Sequence, residues 1–381
     1  TNEMMRIVSL SDICSYVNSK IPVEQVQLAN YVSTENLLQN KGGLSVANKL
    51  PSGKVTAFQA GDVLVSNIRP YFKKIWLADR SGGASNDVLV FRKLNDNVCE
   101  KYLYYILADD RFFAFSTASA SGSKMPRGDK SQIMNYPVKL PPLEVQKKIA
   151  DILSSLDEKI ELNRRMNETL EQLGQALFCH YFVDTPEVDS WENGEVSDIV
   201  HVYSGFAFKS KDFDIDGRYG LVTIKNVQDG SFIKDCTDHL SEPLPNKTPE
   251  HVHLKSGDIV LSLTGNVGRV CAVVGRDYLL NQRVAKLASD ESQAYVYFLF
   301  RSRTMKDRMV GISKGTAQKN LSPIETGKLK IKIPPTNIMS QFEENAIELL
   351  NMIVSNNEQT QTLTSVRDML LPKLISGEIE T

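Results

Sequence analysis

From position 149 the apolar residues recur at alternating steps of four and three: Ile149, Leu153, Leu156 and Ile160 lead through Asn163 and Asn167 to Leu170, Gly174 and Leu177. A spacing that averages 3.5 residues is the seam of a coiled coil. Residues 143–180 therefore predict one long helix of about 57 Å at ~1.5 Å per residue. A second tract steps identically through Phe342, Ala346, Leu349, Ile353, Asn356, Thr360, Leu363 and Leu370. Proline lacks a backbone donor and is poorly tolerated inside a helix, so Pro141-Pro142 and Pro334-Pro335 mark where the two helices begin. Asn163 and Asn356 fall on equivalent seam positions. Antiparallel packing would bring them within hydrogen-bonding reach, a device that fixes register at some cost in stability.

The two tracts are copies. Pro141 maps onto Pro334 by a shift of 193 (334 − 141), and the same shift superposes the seam positions of the helices that follow. Ahead of the prolines the match continues with small insertions: Gly61-Asp62-Val63-Leu64-Val65-Ser66 resembles Gly257-Asp258-Ile259-Val260-Leu261-Ser262, Asn86 falls near Asn281, and Ser11-Asp12-Ile13 resembles Ser197-Asp198-Ile199. A period this long with two copies does not make a solenoid, so each half should be a globular block followed by a long helix. The expected organisation is a block over 1–140, a helix over 141–182, a second block over 183–333 and a second helix over 334–381.

Within the blocks the period switches to that of mixed α/β structure. Strands are expected at 63–66, 74–78, 88–92 and 138–140 with a helix over 100–115. The second block should have strands at 222–225, 258–263, 269–274 and 284–287 with a helix over 291–310. The Gly-Asp pairs ahead of Val63 and Ile259 read as turns that lead into strands.

The 381 residues carry a net charge of −2, which conceals an alternation. Lys+Arg against Asp+Glu is 17 to 12 over 1–140, 5 to 10 over 141–190, 20 to 17 over 191–333 and 2 to 7 over 334–381. Two mildly basic blocks thus alternate with acidic helices, an arrangement in which the blocks face a polyanion and the helices face something else. With 41% apolar and 24% charged residues, no apolar stretch of ~18 residues and no basic-then-apolar leader, a soluble cytoplasmic protein is expected. The five cysteines (Cys14, Cys99, Cys179, Cys236, Cys271) are odd in number and far apart, against a disulfide scaffold or zinc ribbon, and most are expected to be small core residues.

Catalytic motifs fail one by one. Asp212 to Gly217 copies the start of an EF-hand loop, but Thr223 stands where a bidentate Glu is required. His251 and His253 have no partner at a zinc spacing. Ser66 and Ser262 lack a nucleophile elbow, and Gly265-Asn266-Val267-Gly268-Arg269 lacks the Gly-Lys-Ser/Thr ending of a phosphate loop. Neither Pro-Pro pair sits in the Asp/Asn-Pro-Pro-Tyr/Phe setting of an adenine methyltransferase. A binding or assembly role is favoured.

The remaining candidates are polar, basic loops with interleaved aromatics. The first block offers Arg69, Tyr71, Lys73 and Lys74, with Lys124 and Arg127 in the Ser121-to-Gly128 loop. The second offers Thr264, Asn266 and Arg269, with Lys314, Thr316, Gln318, Lys319 and Asn320 in the loop that the 193-residue shift makes equivalent. Cations there suit phosphates, and the amides of Gln318 and Asn320 suit an adenine edge.

The LPPLEVQKKIADILSSLDEKIELNRRMNETLEQLGQALFCHYFVD segment, the LLPKLISGEIE ending and the repeated Gly-Asp and SG/KG loops together resemble the specificity subunit of Type I restriction-modification enzymes, over essentially the whole chain. The resemblance implies two α/β target-recognition domains separated by two long antiparallel coiled-coil helices, each domain reading half of a bipartite asymmetric site in double-stranded DNA. It implies that the helices, through Ile149, Leu153, Leu156, Ile160, Asn163 and Leu170 and through Phe342, Leu349, Ile353, Asn356 and Leu363, set register and bind two modification subunits that methylate adenine N6. It further implies restriction subunits as partners, no membrane association and no cofactor in this chain. S-adenosylmethionine would belong to the modification subunits, and ATP and Mg to the restriction subunits. The second copy has Thr336-Asn337-Ile338 where the first has Leu143-Glu144-Val145-Gln146. The rival readings are a duplicated coiled-coil scaffold that binds protein rather than DNA, and an enzyme of unrecognised type.

Overall fold

The computed structural model describes residues 6–122, 124–315 and 319–380. It comprises two compact units, Thr1–Lys159 with Leu363–Thr381, and Ile160–Thr362. The long helices are Leu143–Phe182 and Thr336–Ser376, and each begins directly after its proline pair. Both run through a unit boundary, so each unit holds the start of one helix and the end of the other.

In the first unit the expected strands occur at Val63–Ser66, Ile75–Leu77, Val88–Lys93 and Pro137–Leu140. An antiparallel sheet runs Cys14–Tyr16, Val88–Lys93, Val63–Ser66, Ile75–Leu77, with Val63–Ser66 buried at every position. A second sheet, invisible in the pattern because most of its strands are only two or three residues long, runs Lys20–Pro22, Lys54–Phe58, Gly82–Ala84, Tyr31–Val32. Arg6–Ser9 pairs with Pro137–Leu140.

The second unit repeats this plan. His201–Ser204, Val284–Ala288, Ile259–Ser262 and Val270–Ala272 form the antiparallel sheet, and Glu192–Glu195 pairs with Lys330–Ile333. In its other sheet Tyr219–Val222 runs parallel to Tyr278–Leu280, which is antiparallel to His253–Leu254, just as Tyr31–Val32, Gly82–Ala84 and Lys54–Phe58 are arranged in the first unit. The edge strand differs: Lys20–Pro22 extends the Lys54–Phe58 side of the first, whereas His239–Leu240 extends the Tyr219–Val222 side of the second.

The repeated Gly-Asp pairs have a common cause. Gly61 and Gly257 both take φ +88°, a conformation open to glycine. The next carboxylate folds back, Asp62 accepting from the Gln59 N–H (2.8 Å) and Asp258 from the Lys255 N–H (2.9 Å). Each is then held by a cation from the neighbouring strand: Arg92 donates twice to Asp62 at 2.7 Å, and Lys286 once to Asp258 at 2.8 Å. The Ser-Asp-Ile repeat is likewise a pair of matching turns, in which Asp12 accepts from the Ser9 N–H and Asp198 from the Glu195 N–H.

Five expectations need correction. The helix over 100–115 is two helices, Glu100–Ala108 and Asp110–Ala118, and the one over 291–310 is Gln293–Arg301 and Arg303–Ile312. The breaks at Asp109 and Ser302 are related by the same shift; both residues are extended and cap the helix that follows, Asp109 accepting from the Arg111 N–H and Ser302 from the Met305 N–H. The strand at 222–225 is Tyr219–Val222, because the Asn226 side chain accepts from the Thr223 N–H and turns the chain away, as Asn36 does with Ser33. Asn163 does not meet the side chain of Asn356. Fully buried, it donates to Gln359 Oε1 (2.9 Å) and to the Asn356 carbonyl (3.4 Å), while Asn356 donates to Asn167 Oδ1 (2.9 Å) and Asn167 to Asn357 Oδ1 (2.9 Å). The facing residues are displaced by about one turn, and the result is a ladder of amides between antiparallel helices. Finally, only Cys14 and Cys271 of the cysteines are buried; Cys179 is exposed.

The seam residues close the two cores. Ile149 and Leu153 pack with Leu371, Leu374 and Ile375 in the first unit. Phe342, Ala346 and Ile353 pack with Phe178 and Phe182 in the second, with Leu170, Leu177 and Leu349 at the margin. Leu156, Ile160 and Leu363 are half-buried.

Candidate nucleic-acid interface

The candidate loops come together in each half by the same main-chain device. In the first unit Ser121 and Arg127 exchange two backbone hydrogen bonds at 3.0 Å, closing a small loop around Gly122 at φ +102°. The Arg69 N–H donates to the Pro126 carbonyl (2.8 Å), which pins this loop to the one leaving Val63–Ser66. In the second unit Lys314 and Asn320 exchange two bonds at 2.8 Å around Gly315 at φ +106°, and the Gly265 N–H donates to the Lys319 carbonyl (3.1 Å). Ser66 and Ser262, excluded as nucleophiles, turn the chain at the strand ends: their hydroxyls donate to the carbonyls of Ile68 (3.1 Å) and Thr264 (3.2 Å). Sequence reasoning missed that role, although the matched serines were its signal.

Side chains then divide into displayed and engaged. Lys124 is exposed and makes no ion pair among the described residues, and Tyr71 is exposed beside it in the paired loop. Arg69 and Lys73, both at φ +50°, flank the Pro70–Phe72 turn; Arg69 lies 5.9 Å from the Phe72 ring and donates to the Lys124 carbonyl. Non-glycine residues in that region store strain that persists where surrounding structure holds it. Lys73 is bound to Asp110 (2.8 Å), and Arg127 to Asp87 (3.1 Å), both at exposed positions. Lys74 points inward to the Thr34 carbonyl, and burial holds its ammonium below the usual lysine range against the opposing pull of Glu35. It is not brought to the displayed surface.

In the second unit Asn266, Lys314, Lys319 and Asn320 are exposed. Arg269 is half-buried and donates to Gln228 Oε1 (2.6 Å). Thr264 is half-buried with its hydroxyl oxygen unpaired. Thr316 and Gln318 lie outside the described residues. The discarded histidines have other partners: His251 Nε2 donates to the Ser204 carbonyl (2.9 Å) and its ring stacks on Tyr203, and His253 lies against Tyr219. Among the described residues no group of three or more His, Cys, Asp or Glu is arranged to hold a metal, and no helix is long and apolar enough to cross a membrane.

A family model described as the Type I restriction modification DNA specificity domain matches residues 2–172 and again 188–357. The chain belongs to this family. The two matched stretches are the two halves of the repeat, so the duplication seen in loops and turns is a duplication of the specificity domain itself. This specificity subunit is 25% identical over 456 residues to the Type I restriction enzyme HindI specificity subunit of Haemophilus influenzae, covering 97% of this chain and 98% of that one. It is 26% identical over 397 residues to the MjaIX specificity subunit of Methanocaldococcus jannaschii, covering 96% and 88%. The crystal structure of the Type I restriction-modification S subunit from M. genitalium shares its fold, with a TM-score of 0.59 at 16% identity over 98% of this chain and 97% of that one. The subunit recognises DNA sequence for a restriction-modification enzyme and is not itself the catalyst.

Proposed function

We propose that each half of this specificity subunit reads one half of a bipartite, asymmetric site in double-stranded DNA, and that the displayed loops are the readers. The observation that carries this reading is the repeated loop clamp: one backbone arrangement, built twice, presents different side chains. The first half displays Tyr71 and Lys124, with Arg127 held by Asp87 and half-buried Arg69 behind them; the second displays Asn266, Lys314, Lys319 and Asn320. Cations position the duplex through phosphates and the amides read base edges. Two modification subunits, carrying S-adenosylmethionine, cover the exposed apolar residues of the long helices, including Leu173 and Val366, which the 193-residue shift makes equivalent. ATP and Mg belong to restriction subunits, and the complex works in the cytoplasm.

The long helices act as a ruler between half-sites. Inserting seven residues after Asn163 and seven after Asn356 adds about 10 Å at ~1.5 Å per residue, roughly 3 base pairs at ~3.4 Å each. The test co-expresses the chain with the methyltransferase encoded beside it and maps N6-methyladenine across host DNA. A split motif that needs this chain, with a gap that widens in the insertion variant, is expected. Absence of any split motif would overturn the reading, and an unchanged gap would overturn the ruler.

A further inference from the structure

A groove of about 770 Å³ lies within the second unit. Its floor is apolar and aromatic, formed by Phe178, Phe182, Trp191, Tyr295, Leu299 and Met305. Its polar lining is one-sided: Arg301, Arg303, Arg308, Lys330 and Lys332 contribute, and no Asp or Glu does. Arg301 is neutralised by Glu171 (3.0 Å) and Asp229, and Lys330 by Glu195 (2.7 Å). The others are not. Arg308 donates to the Lys330 carbonyl and Lys332 to the carbonyls of Asp189 and Trp191, contacts that orient the cation but leave its charge uncompensated. Arg303 has a side chain 95% exposed, with the Asp307 carboxylate only at 3.9 Å.

Among the described residues of the first half the equivalent place is filled. Arg308 becomes Phe115, Leu329 becomes Tyr136 and Met305 becomes Phe112 under the shift, and there the Tyr136 ring packs on Phe112 (5.4 Å) and Phe115 (5.3 Å). Arg303 becomes Asp110, already bound by Lys41 (3.1 Å) and Lys73 (2.8 Å). Cys179, which lines the groove, becomes Pro372, whose carbonyl accepts from Arg111 Nη2 (3.2 Å). The protein's own aromatics fill in one half what stays open in the other.

We propose that this groove seats an acidic segment of a protein partner, anchored by large apolar side chains, and that each chain offers one such seat. An apolar concavity rimmed by uncompensated cations matches carboxylates flanking buried anchors. A DNA backbone would use the rim and leave the floor empty. Because the equivalent place in the other half is filled among the described residues, the occupant binds once per chain, unlike partners that use both helices alike.

Cys179 is exposed in the groove and serves as the reporter, with buried Cys14 and Cys271 as silent controls for folding. The rate of N-ethylmaleimide labelling at Cys179 is measured by mass spectrometry in the free full-length chain, with duplex DNA, and in the assembled modification enzyme. At least tenfold protection in the assembled enzyme is expected, none with DNA alone, and recovery of labelling in Arg303→Glu and in Arg303→Glu with Arg308→Glu. A benzophenone maleimide on Cys179 should cross-link one partner peptide per chain, rich in Asp or Glu beside large apolar residues. Equal labelling in all three samples, protection by DNA alone, or cross-links to DNA, to a second copy of the chain or to a non-acidic peptide would overturn the proposal. If the assembled enzyme still methylates a split motif while Cys179 stays fully reactive, the groove assignment fails and the DNA-reading assignment stands.

Discussion

The two halves share a backbone plan and fill it with different chemistry. In the first, the long helix closes its core with aliphatic contacts around Ile149; in the second, the equivalent Phe342 is ringed by Phe178, Phe182, Tyr181, Tyr295 and Phe298 with centroids 4.9 to 6.5 Å away. The start of the first short helix is secured in both by a polar side chain from the long helix. Gln146, 1% exposed, accepts from the Cys99 N–H (3.0 Å) and donates to the carbonyls of Asn97 and Pro141. The second half has Met339 at that position and uses Glu343, one turn on, whose carboxylate accepts from the N–H groups of Ala294 (2.8 Å) and Tyr295 (3.1 Å). A duplicated scaffold therefore keeps the geometry that its backbone hydrogen bonds require and leaves the side chains that satisfy it free to change. The same freedom at the loop tips is what two different half-sites demand.

The comparison breaks most visibly in the cores. Phe342→Ala should cost about 3–5 kcal/mol and Ile149→Ala about 2–5 kcal/mol. Because two units preclude a single unfolding free energy, the measurement is amide hydrogen exchange. Loss of protection is expected in the unit carrying the substitution; equal loss in both would contradict two separately packed cores.

The helix starts are a finer probe. Glu343→Ala and Gln146→Ala should each cost about 1–2 kcal/mol by stripping a cap from its helix, but of the two caps only Glu343 titrates. Burial holds the Glu343 carboxyl above its usual range, with its backbone donors opposing. A carboxyl raised in the folded state binds its proton more tightly there than in the unfolded chain, so the second half loses stability as pH rises from the usual carboxylate range through the raised value. Glu343→Gln should remove that contribution in thermal melts, and a wild-type advantage over Glu343→Gln that grows as pH rises through the same window would contradict it.

The smallest expected difference is on the helix surface. Glu161 is held down to about 2, first by the hydrogen bond from Arg164 and then by Arg165 against partial desolvation. Its equivalents in the second helix are Val354, Asn357 and Glu358, which build no such cluster. The stabilisation is present above the usual carboxyl range and vanishes as pH falls toward about 2. At 41% side-chain exposure it is screened to a few tenths of a kcal/mol, measurable as the acid-limb difference between wild type and Glu161→Gln.

The repeat made much of this readable in advance. Gly61-Asp62 and Gly257-Asp258 announce their turns because φ +88° calls for glycine, and the 3.5-residue spacing announces both long helices. The breaks at Asp109 and Ser302 were hidden because buried apolar residues flank them closely, Ala108 and Phe112 in one and Phe300 and Met305 in the other, so apolar pattern alone reads straight through the cap. Strands as short as Gly82–Ala84 carry too few side chains to show a period. The offset that pairs Asn163 with Gln359 is set by how the helices pack, which spacing does not encode. At the loops, the segments named from sequence are ones that backbone hydrogen bonds join in each half. It did not show that Lys74 turns inward to the Thr34 carbonyl, since that depends on a neighbouring turn remote in sequence.

The central claim is that the two loop clamps read separate half-sites. Its most direct test maps N6-methyladenine in cells carrying the assembled enzyme with Lys124→Ala and Arg127→Ala, or with Lys314→Ala and Lys319→Ala. Each double variant should weaken or relax one half of the split motif and leave the other half fully specified, and the two variants should affect opposite halves. Equal loss at both half-sites from either variant would contradict the claim.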